Sequence, residues 1–391
     1  MNLLKNIATI GSGQNAPQEE SEYSVLGKTF IKVSNLDDII QDQNESRACK
    51  ITADAINKNK LKLYPKNTII FAKSGLSCVK NRVYLTKDDS YIVNHLCTIS
   101  NIKNDYYPKW LLYFIKNYDV TKLIHDESYP SISLKDIGKI EIPEVGLNIQ
   151  ILISNQLDFI IETINKKLVQ LNQLNELVKS RFIEMFGDPN FNDKNWDRLQ
   201  IRDIGECVAG ATPSTKVNEY WENGTISWLS SGEVHKRRIY STDSKITQSG
   251  YDHASTKMVP AHTVLLAMAG QGKTRGTAAM AEIPLCTNQS ICSIVNNEKI
   301  NPEYLMEYLT LEYNELRSAS NGGEGRGGLN LKIIGDFPIN VPPINLQNEY
   351  AEFIKQIDKS KFVCYSKYFL WLNLTFVSST IAYSNVVSIL E

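Results

Sequence analysis

The chain has 391 residues, of which 42% are hydrophobic and 22% charged, so it is neither intrinsically disordered nor suited to a single ordinary core. Its net charge of -1 excludes a globally basic nucleic-acid-binding protein, and any such contact must come from local clusters of cations. The seven cysteines lack CxxC spacing, and the first residues do not resemble a signal peptide. We therefore expect reduced thiols and a cytoplasmic protein.

Residues 1–147 are predicted to form a first domain of mixed helices and strands. The apolar run 68–72 lies shortly after a proline and predicts a buried strand. A proline at position 108 favours a helix over 108–117. The strand predicted at 140–142 ends at a proline, which marks the exit from the sheet.

Residues 148–188 are predicted to form a spacer helix with a coiled-coil seam. Apolar residues recur at alternating steps of four and three, and one polar residue in the series is of the kind that fixes register. A helix of about 30 consecutive residues is roughly 45 Å long, which would hold two domains well apart. Gly187 and Pro189 are expected to end the helix. The seam positions are Leu157, Ile161, Ile164, Leu168, Leu171, Asn175, Val178 and Phe182.

Residues 189–345 are predicted to form a second domain that repeats the first. Four stretches recur in the same order, with offsets between 194 and 197 residues. The matched pairs are 7–13 with 204–210, 65–75 with 260–270, 108–111 with 302–305, and 134–150 with 331–347. This duplication predicts a strand at 263–267, a helix at 302–313 and a strand at 337–341, and two domains of one fold.

The chain resembles the specificity subunits of type I restriction-modification complexes. Residues 177–189, LVKSRFIEMFGDP, are similar to the central conserved region of that family, and the stretches 140–150 and 339–358 resemble its entries into two spacer helices. The loop 270–276 resembles a recurrent loop of its target-recognition domains. The resemblance implies an α+β protein with two similar target-recognition domains, related by pseudo-twofold symmetry and separated by long coiled-coil spacer helices.

The same resemblance implies a function and a set of partners. A specificity subunit is not an enzyme. It binds double-stranded DNA, and each domain reads one half of a split target. Two methyltransferase subunits are expected to use S-adenosylmethionine to methylate adenine, and separate restriction and translocase subunits to use ATP and Mg²⁺. No cofactor, metal or membrane is expected for this chain itself.

We expect the DNA contacts to come from glycine-rich and basic loops at matching repeat positions. Glycines let the backbone of a loop come close to DNA, and lysine and arginine can contact phosphates and base edges. The candidates are Lys73, Ser74, Lys80, Asn81, Arg82, Lys236, Arg237, Arg238, Gln271, Gly272, Lys273, Thr274, Arg275 and Arg326. The alternative for the basic run 235–238 and for the glycine-rich loop is a merely solvated surface.

The C-terminal region 346–391 is predicted to begin as a second spacer helix and then to depart from the family pattern. Only Lys367 and Glu391 are charged between residues 362 and 391, and strand-favouring residues dominate there. We hypothesise an altered or recombined end that replaces most of the second spacer helix. The uncharged run 368–390 leaves open a coiled-coil scaffold with a membrane-associated tail.

A further alternative is a nucleotide hydrolase. Residues 267–274, AMAGQGKT, are close to a phosphate-binding P-loop, although Ala267 stands where that motif requires glycine. A P-loop would also need a helix directly after it. The sequence favours more loop at 275–277, so we prefer a loop that approaches DNA.

Overall fold

The computed structural model describes residues 1–270, 272–320 and 328–361, and these divide into two compact units, 1–165 and 166–361. Each unit is a mixed α+β structure, as the sequence predicts. The first contains nine strands: β1 (Asn2–Leu3), β2 (Thr9–Ser12), β3 (Tyr23–Ile31), β4 (Cys49–Ile51), β5 (Ile69–Ala72), β6 (Val83–Leu85), β7 (Tyr91–Ile92), β8 (Leu96–Ser100) and β9 (Glu141–Ile142). Its helices are α1 (Leu4–Ile7), α2 (Leu36–Asp42), α3 (Ala53–Lys58), α4 (Pro108–Tyr118), α5 (Leu134–Ile137) and the beginning of α6 (Leu147–Phe186).

The second unit repeats this order. Its strands are β10 (Asp197–Gln200), β11 (Gly205–Ala209), β12 (Ile226–Leu229), β13 (Arg238–Ile239), β14 (Ser244–Ile246), β15 (Val264–Ala267), β16 (Ala278–Ala281), β17 (Cys286–Thr287), β18 (Ile291–Asn296) and β19 (Pro338–Val341). Its helices are α7 (Ile201–Ile204), α8 (Gln248–His253), α9 (Pro302–Leu311), α10 (Tyr313–Ala319) and α11 (Leu331–Gly335), and residues 344–361 are also helical.

The sheets of the two units have matching topology. The first unit has a main sheet of order β2-β8-β5-β6, a second sheet β4-β3-β7 and a pair β1-β9. The second unit has β11-β18-β15-β16-β13, β14-β12-β17 and β10-β19, so β13 is an added edge strand. The duplication seen in the sequence is therefore a duplication of the fold.

The central strands β5 and β15 follow the same local design. The hydroxyl of Thr68 donates to the carbonyl of Pro65 at 2.6 Å, and that of Thr263 to Pro260 at 2.8 Å. The residue before each threonine has a left-handed backbone, with φ of +64° at Asn67 and +66° at His262. Each turn precedes a fully buried apolar strand in the middle of the main sheet. Both predicted strands are therefore confirmed.

Helices begin and end largely where the sequence predicts. Proline occupies the first turn of α4 and of α9. The predicted helix 302–313 is interrupted, because α9 ends at Leu311 and α10 begins at Tyr313. The helix α6 is 40 residues long, about 60 Å, and it ends at Phe186, before Gly187 with φ +80°. The predicted domain boundaries stay predictions, since the two units divide within this helix.

The seam of α6 is buried only toward its C-terminal end. Leu171, Val178 and Phe182 are buried, and the Phe182 ring lies 5.5 Å from that of Tyr350 in the helix 344–361. Among the other seam positions, Ile161, Leu168 and Asn175 are exposed, whereas Leu157 and Ile164 are half-buried. The part of the seam in the second unit thus pairs with a second helix, as expected for spacer helices, and residues 362–391 lie outside the described chain.

Candidate nucleic-acid interface

The glycine-rich loop of the second unit is a hairpin that joins the antiparallel strands β15 and β16. The Ala267 amide donates to the carbonyl of Thr277 at 3.0 Å, and the Gly276 amide donates to that of Ala267 at 2.9 Å. Gly272 and Gly276 have φ of +66° and +85°, which few other residues tolerate. A strand follows the loop, so no helix N-terminus is available for a phosphate, and the P-loop alternative is wrong.

Two side chains of α10 form hydrogen bonds with the backbone of this hairpin. Nη1 of Arg317 donates to the carbonyls of Gly272 at 2.9 Å and Arg275 at 3.0 Å, and the Tyr313 hydroxyl donates to the carbonyl of Lys273 at 3.0 Å. The guanidinium of Arg317 also lies 5.4 Å from the centroid of the Tyr313 ring. These hydrogen bonds hold the backbone of Gly272, Lys273 and Arg275 against α10.

The predicted DNA-contacting residues of this loop have different environments. Lys273 is exposed, and the Thr274 hydroxyl lies 3.1 Å from Nε2 of His235. Arg275 is only 9% exposed, and its Nε has no hydrogen-bond partner among the described residues. Lys273 is thus the cation that the hairpin offers to solvent. Gln271 lies outside the described residues, and so does Arg326.

The basic run in the second unit is largely neutralised by carboxylates. Lys236 lies 2.7 Å from both Glu233 and Asp243, and Arg237 pairs with buried Glu307. The guanidinium of Arg238 is 16% exposed and is surrounded by acidic partners: Glu282, Glu303 at 2.7 Å and Asp358 at 2.8 Å. All three cations are thus paired with carboxylates, and only Arg238 is largely buried, whereas Lys236 and Arg237 remain partly exposed.

The equivalent hairpin of the first unit joins β5 and β6 and contains the other predicted residues. The Ser74 hydroxyl lies 2.8 Å from Nδ1 of His95, the Asn81 amide donates to the Lys116 carbonyl at 2.7 Å, and Arg82 pairs with Asp37 at 2.6 Å. Lys80 is exposed and Lys73 is half-buried. The hairpins share their place in the sheet but present different side chains.

These paired domains can be compared with known proteins. A family model described as the type I restriction modification DNA specificity domain matches residues 3–176 and again residues 193–362. This chain belongs to the type I restriction-modification DNA specificity family. The two matches coincide with the repeat, so each half of the chain is one copy of the specificity domain.

Curated members of the specificity family show local similarity. The chain is 26% identical over 171 residues to the type I restriction enzyme EcoR124I/EcoR124II specificity subunit of Escherichia coli, covering 43% of this chain and 42% of the relative. It is 29% identical over 188 residues to the MjaIX specificity subunit of Methanocaldococcus jannaschii, covering 46% and 43%. The aligned stretches span less than half the length of these relatives.

Solved structures agree in fold. The type I restriction-modification S subunit from M. genitalium has a TM-score of 0.60 at 14% identity, covering 95% of this chain and 92% of that chain. A structure reported on complex assembly and conformational transition of the type I R-M system has a TM-score of 0.57 at 14% identity, covering 95% and 94%. At this identity the match establishes the specificity-family fold alone.

The fold of this specificity-family member also brings together polar residues that sequence reasoning missed. The amide of Asn94 donates to Asn15 at 2.6 Å in the first unit, and Thr212 donates to Gln289 at 2.6 Å in the second. The pairs occupy matching repeat positions, since Asn15 and Thr212 are 197 residues apart and Asn94 and Gln289 are 195 apart. Gln289 lies near the hairpin, because the carbonyl of the next residue, Ser290, accepts from the amide of Met268 at the base of the hairpin. The only available signal was the repeat offset, since neither residue type stands out in the sequence.

The sequence predicts neither a metal site nor a membrane segment in this chain. Within residues 1–270, 272–320 and 328–361, no group of three or more His, Cys, Asp or Glu side chains could hold a metal ion. None of the helices in that same part of the chain is long and apolar enough to cross a membrane. The uncharged run 368–390, on which the membrane alternative rests, lies outside it.

Proposed function

We propose that this chain is the non-catalytic, sequence-reading subunit of a type I restriction-modification complex in the cytoplasm. It binds double-stranded DNA at a split target, and each specificity domain reads one half. Two methyltransferase subunits with S-adenosylmethionine then modify adenine, and restriction and translocase subunits with ATP and Mg²⁺ cleave unmodified DNA. The chain itself needs no cofactor for this role.

One observation carries the proposal: two domains of the same topology present different side chains on equivalent hairpins. A common scaffold gives both domains the same way of approaching a duplex. Lys273 and Thr274 occupy one hairpin tip, and Leu76, Val79 and Lys80 the other. Proteins distinguish bases by side-chain contacts with the base edges. Two domains of the same fold with different side chains on their hairpins are therefore suited to reading two different half-sites.

We further propose α6 and the helix 344–361 as the spacer that sets the gap between the half-sites. The support is the packing of Val178 and Phe182 against Tyr350 and Ile354 in the second unit. In this proposal the seam residues Leu157, Ile161, Ile164 and Leu168 continue the spacer within α6, and residues 1–147 and 189–345 are the two reading domains.

The target can be identified by methylation-sensitive sequencing of cells that express this chain with its methyltransferase partner. A split, adenine-methylated motif is the expected result. The Lys273→Glu variant, assembled with the same partner, should bind the target duplex at least about tenfold more weakly, with the deficit shrinking as salt is raised. Lys273 is a better choice than Arg275, whose buried side chain would also affect folding.

The matched control is Lys299→Glu. Lys299 is exposed and follows the end of β18. Near that end, Ile294 pairs with Val264, the first residue of β15, whereas the hairpin follows the last residue of β15. Lys299 therefore lies at the opposite end of the main sheet from the hairpin. This variant should bind DNA like the unmodified chain. Equal affinity of the Lys273→Glu and Lys299→Glu variants would refute the assigned hairpin, and unselective binding to any duplex would refute the function.

A further inference from the structure

The hairpin of the first unit ends in exposed apolar side chains. Gly75, with φ +74°, turns the chain into the short 3-10 turn Leu76–Val79. The Cys78 amide donates to the Gly75 carbonyl at 2.9 Å, and the Cys78 side chain is buried in the core of the unit. This anchor leaves Leu76 80% exposed and Val79 50% exposed on one turn.

A neighbouring segment adds an aromatic ring to this turn. The Gly75 amide donates to the carbonyl of Pro130 at 3.0 Å, and the Ile132 amide donates to that of Lys73 at 2.8 Å. Tyr129, which precedes Pro130, is 78% exposed. Isolated exposed apolar residues are ordinary, but here several occur on two backbone segments that hydrogen bonds hold together.

The surroundings of this apolar tip favour DNA over a protein surface as its occupant. The exposed ammonium group of Lys80 directly follows Val79, and Lys73 is at the base of the same hairpin. In the second unit the equivalent stretch 270–274 has the sequence GQGKT, which contains no apolar side chain. Its cation, Lys273, is exposed. The apolar tip is thus a difference between two otherwise equivalent hairpins, flanked by cations that complement phosphates.

We infer that Leu76 and Val79 read thymine by contacting its 5-methyl group in the major groove. That methyl is the one apolar group that the four bases present in this groove, so an apolar tip can distinguish thymine but cannot pair with a donor or acceptor. The first domain therefore reads its half-site in part by apolar contact, and the hairpin of the second domain by hydrogen bonds. This inference rests on the proposed function.

The test uses the full chain with its methyltransferase partner and the target duplex found by sequencing. Each thymine of the target is replaced in turn by deoxyuridine, which removes the methyl group and keeps every hydrogen-bonding edge. At a thymine of one half-site we expect about fourfold weaker binding, the effect of about 0.8 kcal/mol for one buried methyl group. The Leu76→Ala variant should bind the thymine and deoxyuridine duplexes with nearly equal affinity.

The matched control is Val25→Ala, which removes an apolar side chain at least as exposed as Leu76 from β3, in the sheet β4-β3-β7 of the same unit. It should keep the fourfold preference for thymine. Two outcomes would overturn the inference and leave the proposed function intact. One is sequence-selective binding that deoxyuridine does not weaken. The other is a deoxyuridine effect that persists in both Leu76→Ala and Val79→Ala. Failure to bind the target selectively would overturn the proposed function itself.

Discussion

Gln150 and Gln347, 197 positions apart in the sequence, make the same hydrogen bonds in the two units. Oε1 accepts from the amide of Tyr107 in one unit and of Asn301 in the other, both at 2.8 Å. Nε2 of Gln150 donates to the carbonyls of Val145 and Asp105, and Nε2 of Gln347 donates to those of Pro342 and Lys299. Each buried glutamine thus joins the first turn of a long helix to the start of the helix that begins with proline.

Replacement of Gln347 by alanine should destabilise the second unit. The change removes the partner of one amide and two carbonyls at a junction that is partly to fully buried, which costs about 3 kcal/mol. Urea unfolding of the full chain would measure the loss, and hydrogen exchange would locate it around Asn301. Gln356→Ala on the exposed side of the same helix is the control and should change the free energy of unfolding by less than about 0.5 kcal/mol. Equal effects of the two changes would contradict this assignment.

Arg317→Ala should impair recognition more than folding. The hairpin loses the hydrogen bonds to the carbonyls of Gly272 and Arg275, so its backbone is no longer positioned before DNA arrives. We expect the ratio of target to random-duplex affinity to fall about tenfold, with the melting temperature lowered by only a few degrees. Asn314→Ala, an exposed position on the same helix, should leave that ratio unchanged. A preserved ratio in Arg317→Ala would show that the hairpin needs no such support.

Arg238→Met should destabilise the second unit by about 3–5 kcal/mol near neutral pH. Removal of the guanidinium leaves the carboxylates of Glu282, Glu303 and Asp358 close together without their counter-charge. Burial already raises the pKa of Glu303, so the loss should become smaller as the pH falls and the Glu303 carboxyl group takes up a proton. Unfolding measured at several pH values tests this. Lys236→Met, at a more exposed pair, should cost less than about 1 kcal/mol.

Glu312 should make stability fall as the pH rises from about 5 to about 7. Burial between α9 and α10, together with the charges of Glu315 and Asp188, raises the pKa of Glu312 to about 7 from an ordinary value of 4.5. The folded state therefore holds a proton that the unfolded chain has released, and each pH unit in this window reduces the free energy of unfolding, by about 3 kcal/mol in all.

The Glu312→Gln variant removes this titration. Its melting temperature should change less between pH 5 and pH 8 than that of the unmodified chain, and it should be the more stable of the two at pH 8. Glu298→Gln, at an exposed position, should keep the original pH dependence. An unchanged pH dependence in Glu312→Gln would show that another group is responsible.

The sequence by itself determined the duplicated architecture. The repeat offsets predict two domains of one fold, and local signals such as the turn from Pro65 to Thr68 and the proline at position 108 predict strands and helices at the right places. These features depend on backbone dihedrals and on nearest neighbours along the chain, so they can be read from short stretches. The resemblance to the specificity family depends on the same stretches.

Only the tertiary structure decided which of the predicted cations face solvent. Lys273 and Arg275 are two positions apart, yet one is exposed and the other buried, and the partners of Arg238 include Glu303 and Asp358, which lie far away in the sequence. The contacts of Arg317 with the hairpin could not be predicted from the sequence either. Whether a charge is free depends on Coulomb interactions and burial between distant segments, and these arise only when the chain has folded.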